Sequence, residues 1–337
     1  MQLFVLGIWS LVGLAIAHPG HDIQQEIQAR ARGLEDSPRD ISHCAAELKA
    51  RGLEQRTVER RTEILRGARE KRGLLTNPLS IKARDTPSVL QTNHSSPVSY
   101  DPETPLSTIF AGNKSCILMP EVTEGPYYVS GELIRSDLRE PATQKGIDLI
   151  IDIQVIDVST CKPLSEVMVD IWAANATGVY SGIVNPGNGN GDPGNKETTF
   201  GRGLQMTNED GVANFTTIYP GHYTGRTQHI HVATHLNGVI FADNNTFQGA
   251  TVAHIGQIFF DQSLSDSIEN DSVYQANQQP VTTNAQDGVF LQEAAIGDPV
   301  VEYSLLSDSV QDGVFAWISF GIDVTKSEEI FAAAAHH

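Results

Sequence analysis

In Ile151-Asp152-Ile153-Gln154-Val155 every second side chain is apolar, and after a turn at Ser159 to Pro163 the same spacing returns in Val167, Val169 and Ile171. A period of two places alternate side chains on one face of an extended chain, so both stretches read as β-strands with a face to bury. Asp210-Gly211 is a hairpin signal ahead of a strand at Phe215 to Ile218. Strands are further predicted at 229–235, 254–260, 299–305 and 315–323, while the Gly/Asn/Pro run from Gly182 to Asn195 reads as loop. Many short strands with turns between them and almost no helix predict an all-β body, a sandwich or a barrel.

Upstream of this body the period changes. Residues 18–72 read as helices: Ser37, Pro38 and Asp40 form an N-cap, a first-turn proline and an acidic first turn. Ile41, Cys44, Ala45 and Leu48 follow with helical spacing, and Gly52 closes the helix. Val58, Leu65 and Ala68 mark a second helix. These apolar stripes are narrow, which predicts packing on the body or on a second copy, as in a homodimer, and not a core of their own. Lys71-Arg72 and, more weakly, Arg60-Arg61 are dibasic pairs that suit either proteolytic processing or a solvated helix face. Residues 73–105, with Pro78, Pro87, Pro97, Pro102 and Pro105, read as a linker to a main domain over 106–330.

The first 17 residues read as a signal peptide, because Leu3 to Ala15 is apolar and Ala15-Ile16-Ala17 is a small-x-small cleavage pattern. The competing reading, an uncleaved anchor, meets a run that is short for a span, and no later stretch suits a bilayer. The expectation is a secreted, extracellular protein that leaves the membrane once the signal is removed. Sequons at Asn93, Asn113, Asn175, Asn214, Asn244 and Asn270 agree with that route. Three cysteines, Cys44, Cys116 and Cys161, allow one disulfide. Cys116 and Cys161 both flank predicted strands, which favours pairing them, the alternative being two buried thiols. A net charge of −18 excludes nucleic acid as a partner, since phosphates require a basic surface. Residues 18–84 hold 14 of the 23 Lys and Arg, leaving the rest of the chain with 9 basic against 31 acidic side chains.

The chemistry concentrates in Gln228-His229-Ile230-His231-Val232. In a strand, residues two apart share a face about 7 Å apart along the backbone, so two imidazoles can meet one metal. Taken alone, such a pair is more often a polar strand face than a metal site. Tyr223 stands six residues before His229 with Arg226 between them, and Tyr180 follows the strand that contains Trp172. The ordered stretches are Glu124-Gly125-Pro126-Tyr127-Tyr128, Val169-Asp170-Ile171-Trp172, Gly178-Val179-Tyr180-Ser181 and Phe200-Gly201-Arg202-Gly203-Leu204-Gln205-Met206-Thr207. They continue from Phe215 through Ile218-Tyr219-Pro220-Gly221-His222-Tyr223 to His231. This set resembles the intradiol ring-cleavage dioxygenases over residues 115–262, especially their protocatechuate 3,4-dioxygenase side.

That resemblance implies an antiparallel β-sandwich and one non-haem Fe(III) per chain held by Tyr180, Tyr223, His229 and His231. The donor set agrees: phenolates are hard anionic ligands that need a strongly Lewis-acidic cation to ionise from a pKa of about 10. Zinc sites favour Cys, His and carboxylate, and the ferrous two-histidine pattern lacks its acid here. The resemblance further implies a small aromatic diol and O2 as substrates and cis,cis-muconate-type products, with no external reductant. Arg226 would steady the substrate, Gln257 would lie beside the reacting carbon, and Tyr223 would be the ligand that yields to substrate. The alternative is a secreted metal-binding sandwich without turnover. Asn175 lies five residues before Tyr180, where a glycan would crowd the site.

Overall fold

The computed structural model describes residues 41–74, 116–118, 122–248 and 251–335. The signal-peptide run, the N-cap at Ser37, nearly all of the proline-rich linker and the sequons Asn93 and Asn113 lie outside them.

A short 3-10 turn, Ser42–Cys44, leads into α1 (Ala45–Ala50) and α2 (Leu53–Lys71), with Gly52 in the left-handed region (φ 66°) at the corner between them. The strands are β1 (Cys116–Leu118), β2 (Val129–Ser130), β3 (Asp148–Asp157), β4 (Lys162–Pro163), β5 (Met168–Trp172), β6 (Arg202–Met206) and β7 (Val212–Ile218). They continue as β8 (His229–Leu236), β9 (Val239–Phe241), β10 (Thr246–Gln248) and β11 (Thr251–Phe259). After α3 (Gln262–Glu269) and α4 (Gly288–Ile296) come β12 (Glu302–Leu305), β13 (Val314–Ile322) and β14 (Ala334–Ala335). The periodicity located the long strands to within a few residues. It missed α3, which has only Leu264 and Ile268 as apolar positions, and α4, whose apolar residues Val289, Phe290, Leu291, Ala294, Ala295 and Ile296 lie all round the helix and give no amphipathic period.

Two sheets pack face to face. In the first, β3 lies between β13 and β7, with β4 extending the β7 edge, while β12 and β1 share the far edge of β13. The second runs β11–β8–β5–β6, all antiparallel. The sandwich is not wholly antiparallel: β13 runs parallel to both β3 and β1, because β13 enters the first sheet only after the chain has crossed through the second. Between the sheets, Leu149, Ile151, Ile153 and Val155 meet Val169, Ile171, Ile230, Val232 and Ile258 in one apolar core.

The outer face of the first sheet belongs to α2. Leu65 and Ala68 bury against Leu306, Phe315 and Trp317. Asp152, on the polar face of the β3 alternation, is fully buried under the helix: its carboxylate accepts from Arg61 Nε and Arg60 Nε, each at 2.9 Å. Arg61, also fully buried, donates to Ser319 Oγ at 3.0 Å. The apolar stripe of α2 is therefore occupied by the body, and its outer face carries Glu54, Gln55, Glu59, Glu63 and Arg66. A dimer using α2 would have to form through charges. Arg60-Arg61 is unsuited to processing in the folded chain, since both side chains are engaged on Asp152.

The disulfide joins Cys44 to Cys161, with Cα atoms 5.1 Å apart, which corrects the pairing of Cys116 with Cys161. The register explains the difference. Cys116 pairs with Ser319 on β13, and Ser319 pairs with Gln154 on β3. Cys116 thus lies two strands, or about 9.5 Å, from β3, beyond disulfide reach, and Cys161 sits past the end of β3. The turn after β3 instead meets the start of α1, where Ile41, Cys44, Leu48 and Leu53 cluster with Ile156 and Cys161.

Candidate active site

The site lies on the outer face of the second sheet. In β8, Ile230 and Val232 point into the core, so His229, His231 and His235 point away from it. This face is covered by the 122–134 segment and by the loops that carry Tyr180 and Tyr223, and both site histidines are buried. The four expected ligands converge. His229 Nε2 lies 3.2 Å from His231 Nε2 and 3.3 Å from both the Tyr180 and the Tyr223 hydroxyl oxygens. His235, further along the same face, takes no part; its Nε2 is 3.2 Å from an Asp170 carboxylate oxygen.

Each side chain is held from behind. His229 Nδ1 donates to the Thr227 carbonyl at 2.6 Å, which leaves Nε2 as the lone-pair nitrogen facing the tyrosines. His231 stacks on Trp172 with centroids 4.9 Å apart and planes within 7°. At its Cε1 edge is Gly125, with φ 73°, where a Cβ would come within 3.0 Å of His231 Cε1. Glycine in the Glu124-Gly125-Pro126 motif thus serves both the turn and the close approach. Tyr180 is gripped by Asn188, whose Oδ1 accepts its N–H at 2.7 Å and whose Nδ2 donates to its carbonyl at 2.8 Å. The Gly182–Asn195 run, read only as loop, supplies this clamp. Gly178 brings the same loop so close to the His222 carbonyl that a Cβ would lie 2.1 Å from its oxygen.

The electrostatics suit a cation. Burial, then His229, drives the His231 pKa well down; burial and Arg226 lower that of His229 to about 3, so both imidazoles stay neutral. Burial, with a contribution from Tyr223, raises Tyr180 well above the phenol range, and burial raises Tyr223 despite the opposing Arg226. Three oxygen and nitrogen donors at 3.2–3.3 Å from the fourth, His229 Nε2, match the edge of a coordination shell with bonds of about 2.0–2.2 Å. Two buried phenols ionise only against a strong Lewis acid, so the residues present fit a ferric ion.

Arg226 reaches Tyr223 Oη with Nη1 at 3.3 Å and Gln257 Oε1 with Nη2, and Gln257 in turn donates to the Thr123 carbonyl at 3.1 Å. Both predicted partners of the substrate therefore flank the ligand cluster. Two residues that the sequence did not single out complete the surroundings. Asp287 accepts from Arg226 Nε at 2.9 Å. Arg202 donates to Glu132, to the Tyr127 carbonyl and to the Ser181 carbonyl, joining the covering segment to the Tyr180 loop. Arg202 was visible inside a quoted motif, but Asp287 had no local signal at all. Asn175, half-buried, uses its side chain within the Tyr180 loop, accepting from Thr177 and Val179 and donating to Gln144 at 2.8 Å. That engagement disfavours a glycan there, whereas Asn244 and Asn270 are exposed.

The profile of the family described as Dioxygenase matches residues 123–286. The intradiol ring-cleavage dioxygenase from Tetranychus urticae is 32% identical, with a TM-score of 0.52 over 64% of this chain and 98% of that one. A second dioxygenase crystal structure is 33% identical, with a TM-score of 0.53 and the same coverage of 64% and 98%. Among curated proteins, comparison of the sequence returns no match. With nearly the full length of these relatives covered and the four-donor cluster in place, the chain belongs to the intradiol ring-cleavage dioxygenases, a family that opens catechol-type rings.

Proposed function

We propose that the protein is a secreted Fe(III)-dependent intradiol dioxygenase that cleaves a catechol between its hydroxyl-bearing carbons, using O2 and yielding a cis,cis-muconate-type diacid. The observation that carries this reading is the convergence of Tyr180, Tyr223, His229 and His231 on one point, with Arg226 and Gln257 alongside. When bound, a ferric ion would supply the Lewis acidity that takes a catechol as a chelating dianion and makes its ring reactive toward O2.

The chain's own groups divide the remaining work. A catechol must lose two protons to bind as a dianion, and Tyr223 Oη is the protein atom suited to take one of them. It sits in a turn closed by the Arg226 N–H and faces the Arg226 guanidinium, which stabilises charge on either partner. Tyr180 is fully buried and clamped at its backbone by Asn188, so it stays in place. Arg226 and Gln257 present donors where oxygen charge develops on the substrate. Trp172, Tyr127 and Tyr128 wall the cluster from water. An extracellular location is supported by the apolar N-terminal run, the exposed sequons and a disulfide, which persists in an oxidising compartment.

The test is metal analysis together with oxygen uptake on catechol, hydroxyquinol and protocatechuate. Expected are about one iron per chain, a reddish colour from phenolate-to-iron charge transfer, and stoichiometric O2 consumption with one of these diols. His229→Ala and His231→Ala should lose iron and colour together. Full iron in either variant refutes the ligand assignment, and a coloured protein inert to every diol would be a metal-binding sandwich without turnover.

A further inference from the structure

Asp287 is fully buried at the N-terminus of α4, and its two carboxylate oxygens perform different tasks. Oδ1 caps the helix, accepting the N–H groups of Val289 at 2.9 Å and Phe290 at 3.1 Å. Oδ2 turns toward the site, accepting Arg226 Nε and the Thr227 N–H, both at 2.9 Å. Thr227 is the residue whose carbonyl receives His229 Nδ1–H. One carboxylate thus grips the guanidinium that faces Tyr223 and Gln257 and also the backbone that orients a ligand histidine. Thr227 is anchored a second time, its hydroxyl donating to Asn284 Oδ1 at 2.8 Å, and Asn284 is tied to the Phe260 carbonyl at the end of β11.

We infer that Asp287 is a positioning residue for the ring-cleavage reaction, holding Arg226 against Tyr223 and Gln257 so that its donors are aimed before substrate arrives. The inference rests on the dioxygenase reading above. An arginine beside a metal centre is repelled by the cation and has a long flexible stem. A partner that cancels its charge and fixes Nε leaves only the two terminal nitrogens free to act. The partner is itself rigid because helix α4 is built on it. Reach matters as much as charge: small displacements of a positioned donor are costly to a reaction that depends on its aim.

The experiment uses the iron-loaded full chain and two substitutions, Asp287→Asn and Asp287→Ser. Both side chains retain an oxygen for the helix cap and remove the charge that grips Arg226. Expected are a folded protein that keeps its iron with a lowered melting temperature, kcat lowered by about 10- to 100-fold with KM changed less, and a crystal structure in which the Arg226–Tyr223 contact is lost. In an Arg226→Ala background, Asp287→Asn should add little further loss, because its effect passes through Arg226. Thr283→Ala, which loosens the turn before α4 without touching Arg226, should leave kcat near wild type.

Wild-type kcat in the folded Asp287 variants, the same loss in the Arg226→Ala background, or an equal loss in Thr283→Ala overturns the inference. Failure of both Asp287 variants to fold does so too, assigning the residue to the fold alone. If the wild-type protein consumes no O2 with any diol, the dioxygenase reading fails separately, and the position of Arg226 in the variant crystal structures still decides whether Asp287 holds it.

Discussion

Removing the Cys44–Cys161 bridge tests the attachment of the helical segment most directly. The bond closes a sequence separation of 117 residues. The chain-entropy relation for a loop of that length gives a ceiling of about 4.9 kcal/mol, and native disulfides deliver roughly 2–5 kcal/mol when removed. Cys44→Ser with Cys161→Ser should therefore lower the unfolding free energy by about 2–5 kcal/mol while leaving the fold in place, because Arg61–Asp152 and the Leu65–Trp317 contacts still hold α2. Guanidinium unfolding followed through the buried Trp172 and Trp317 reads the loss, and peptide mapping under non-reducing conditions identifies the bridge. Cys116→Ser should be close to neutral. A mapped bridge that includes Cys116, or a loss below about 1 kcal/mol in the double variant, refutes the reasoning.

The other expectations concern the helix interface and the ligands. Asp152→Ala leaves Arg61 buried without its counter-charge and should cost about 3–5 kcal/mol in the same unfolding assay. Burial pushes the Asp152 carboxyl up, but Arg61 and Arg60 overcome it and hold it below its ordinary value, so its contribution is present above about pH 4 and lost as pH falls through the lowered value. The acid limb of a stability-versus-pH curve should flatten in Asp152→Asn. A chain starting at Gly73 exposes Phe315 and Trp317 and strands Asp152, and should be recovered aggregated; a soluble, iron-binding product would show that the body needs no helical layer. Tyr223→Phe should keep much of its iron but lose most turnover, while Tyr180→Phe should alter the charge-transfer spectrum even with substrate bound. Loss of a tyrosinate band on substrate binding in Tyr223→Phe but not in wild type would reverse the two roles. Gly125→Ala forces a Cβ toward His231 in a left-handed backbone and should weaken iron binding about 10- to 100-fold with little change in secondary structure, read by chelator competition and circular dichroism.

Much of this molecule was legible in the sequence because its signals are local. Alternation placed β3, β5 and β8, and the His229–His231 spacing put both imidazoles on one strand face whatever the surrounding fold. The Tyr180, Tyr223 and Arg226 assignments came through a resemblance carried by short motifs, each within a single loop or turn. What the tertiary structure alone decided are relations across long stretches of chain. Alternation set Asp152 on the face opposite the core residues of β3, but only the fold shows that α2, some ninety residues earlier, covers it with Arg61. Cys161 had two candidate partners, and only the order of strands across β13 put one of them out of reach. Asp287 meets Arg226 across 61 residues of sequence because α4 folds back over the ligand loop. Periodicity reports which side of an element is buried, but the identity of what buries it depends on closing long loops, and no local pattern encodes that.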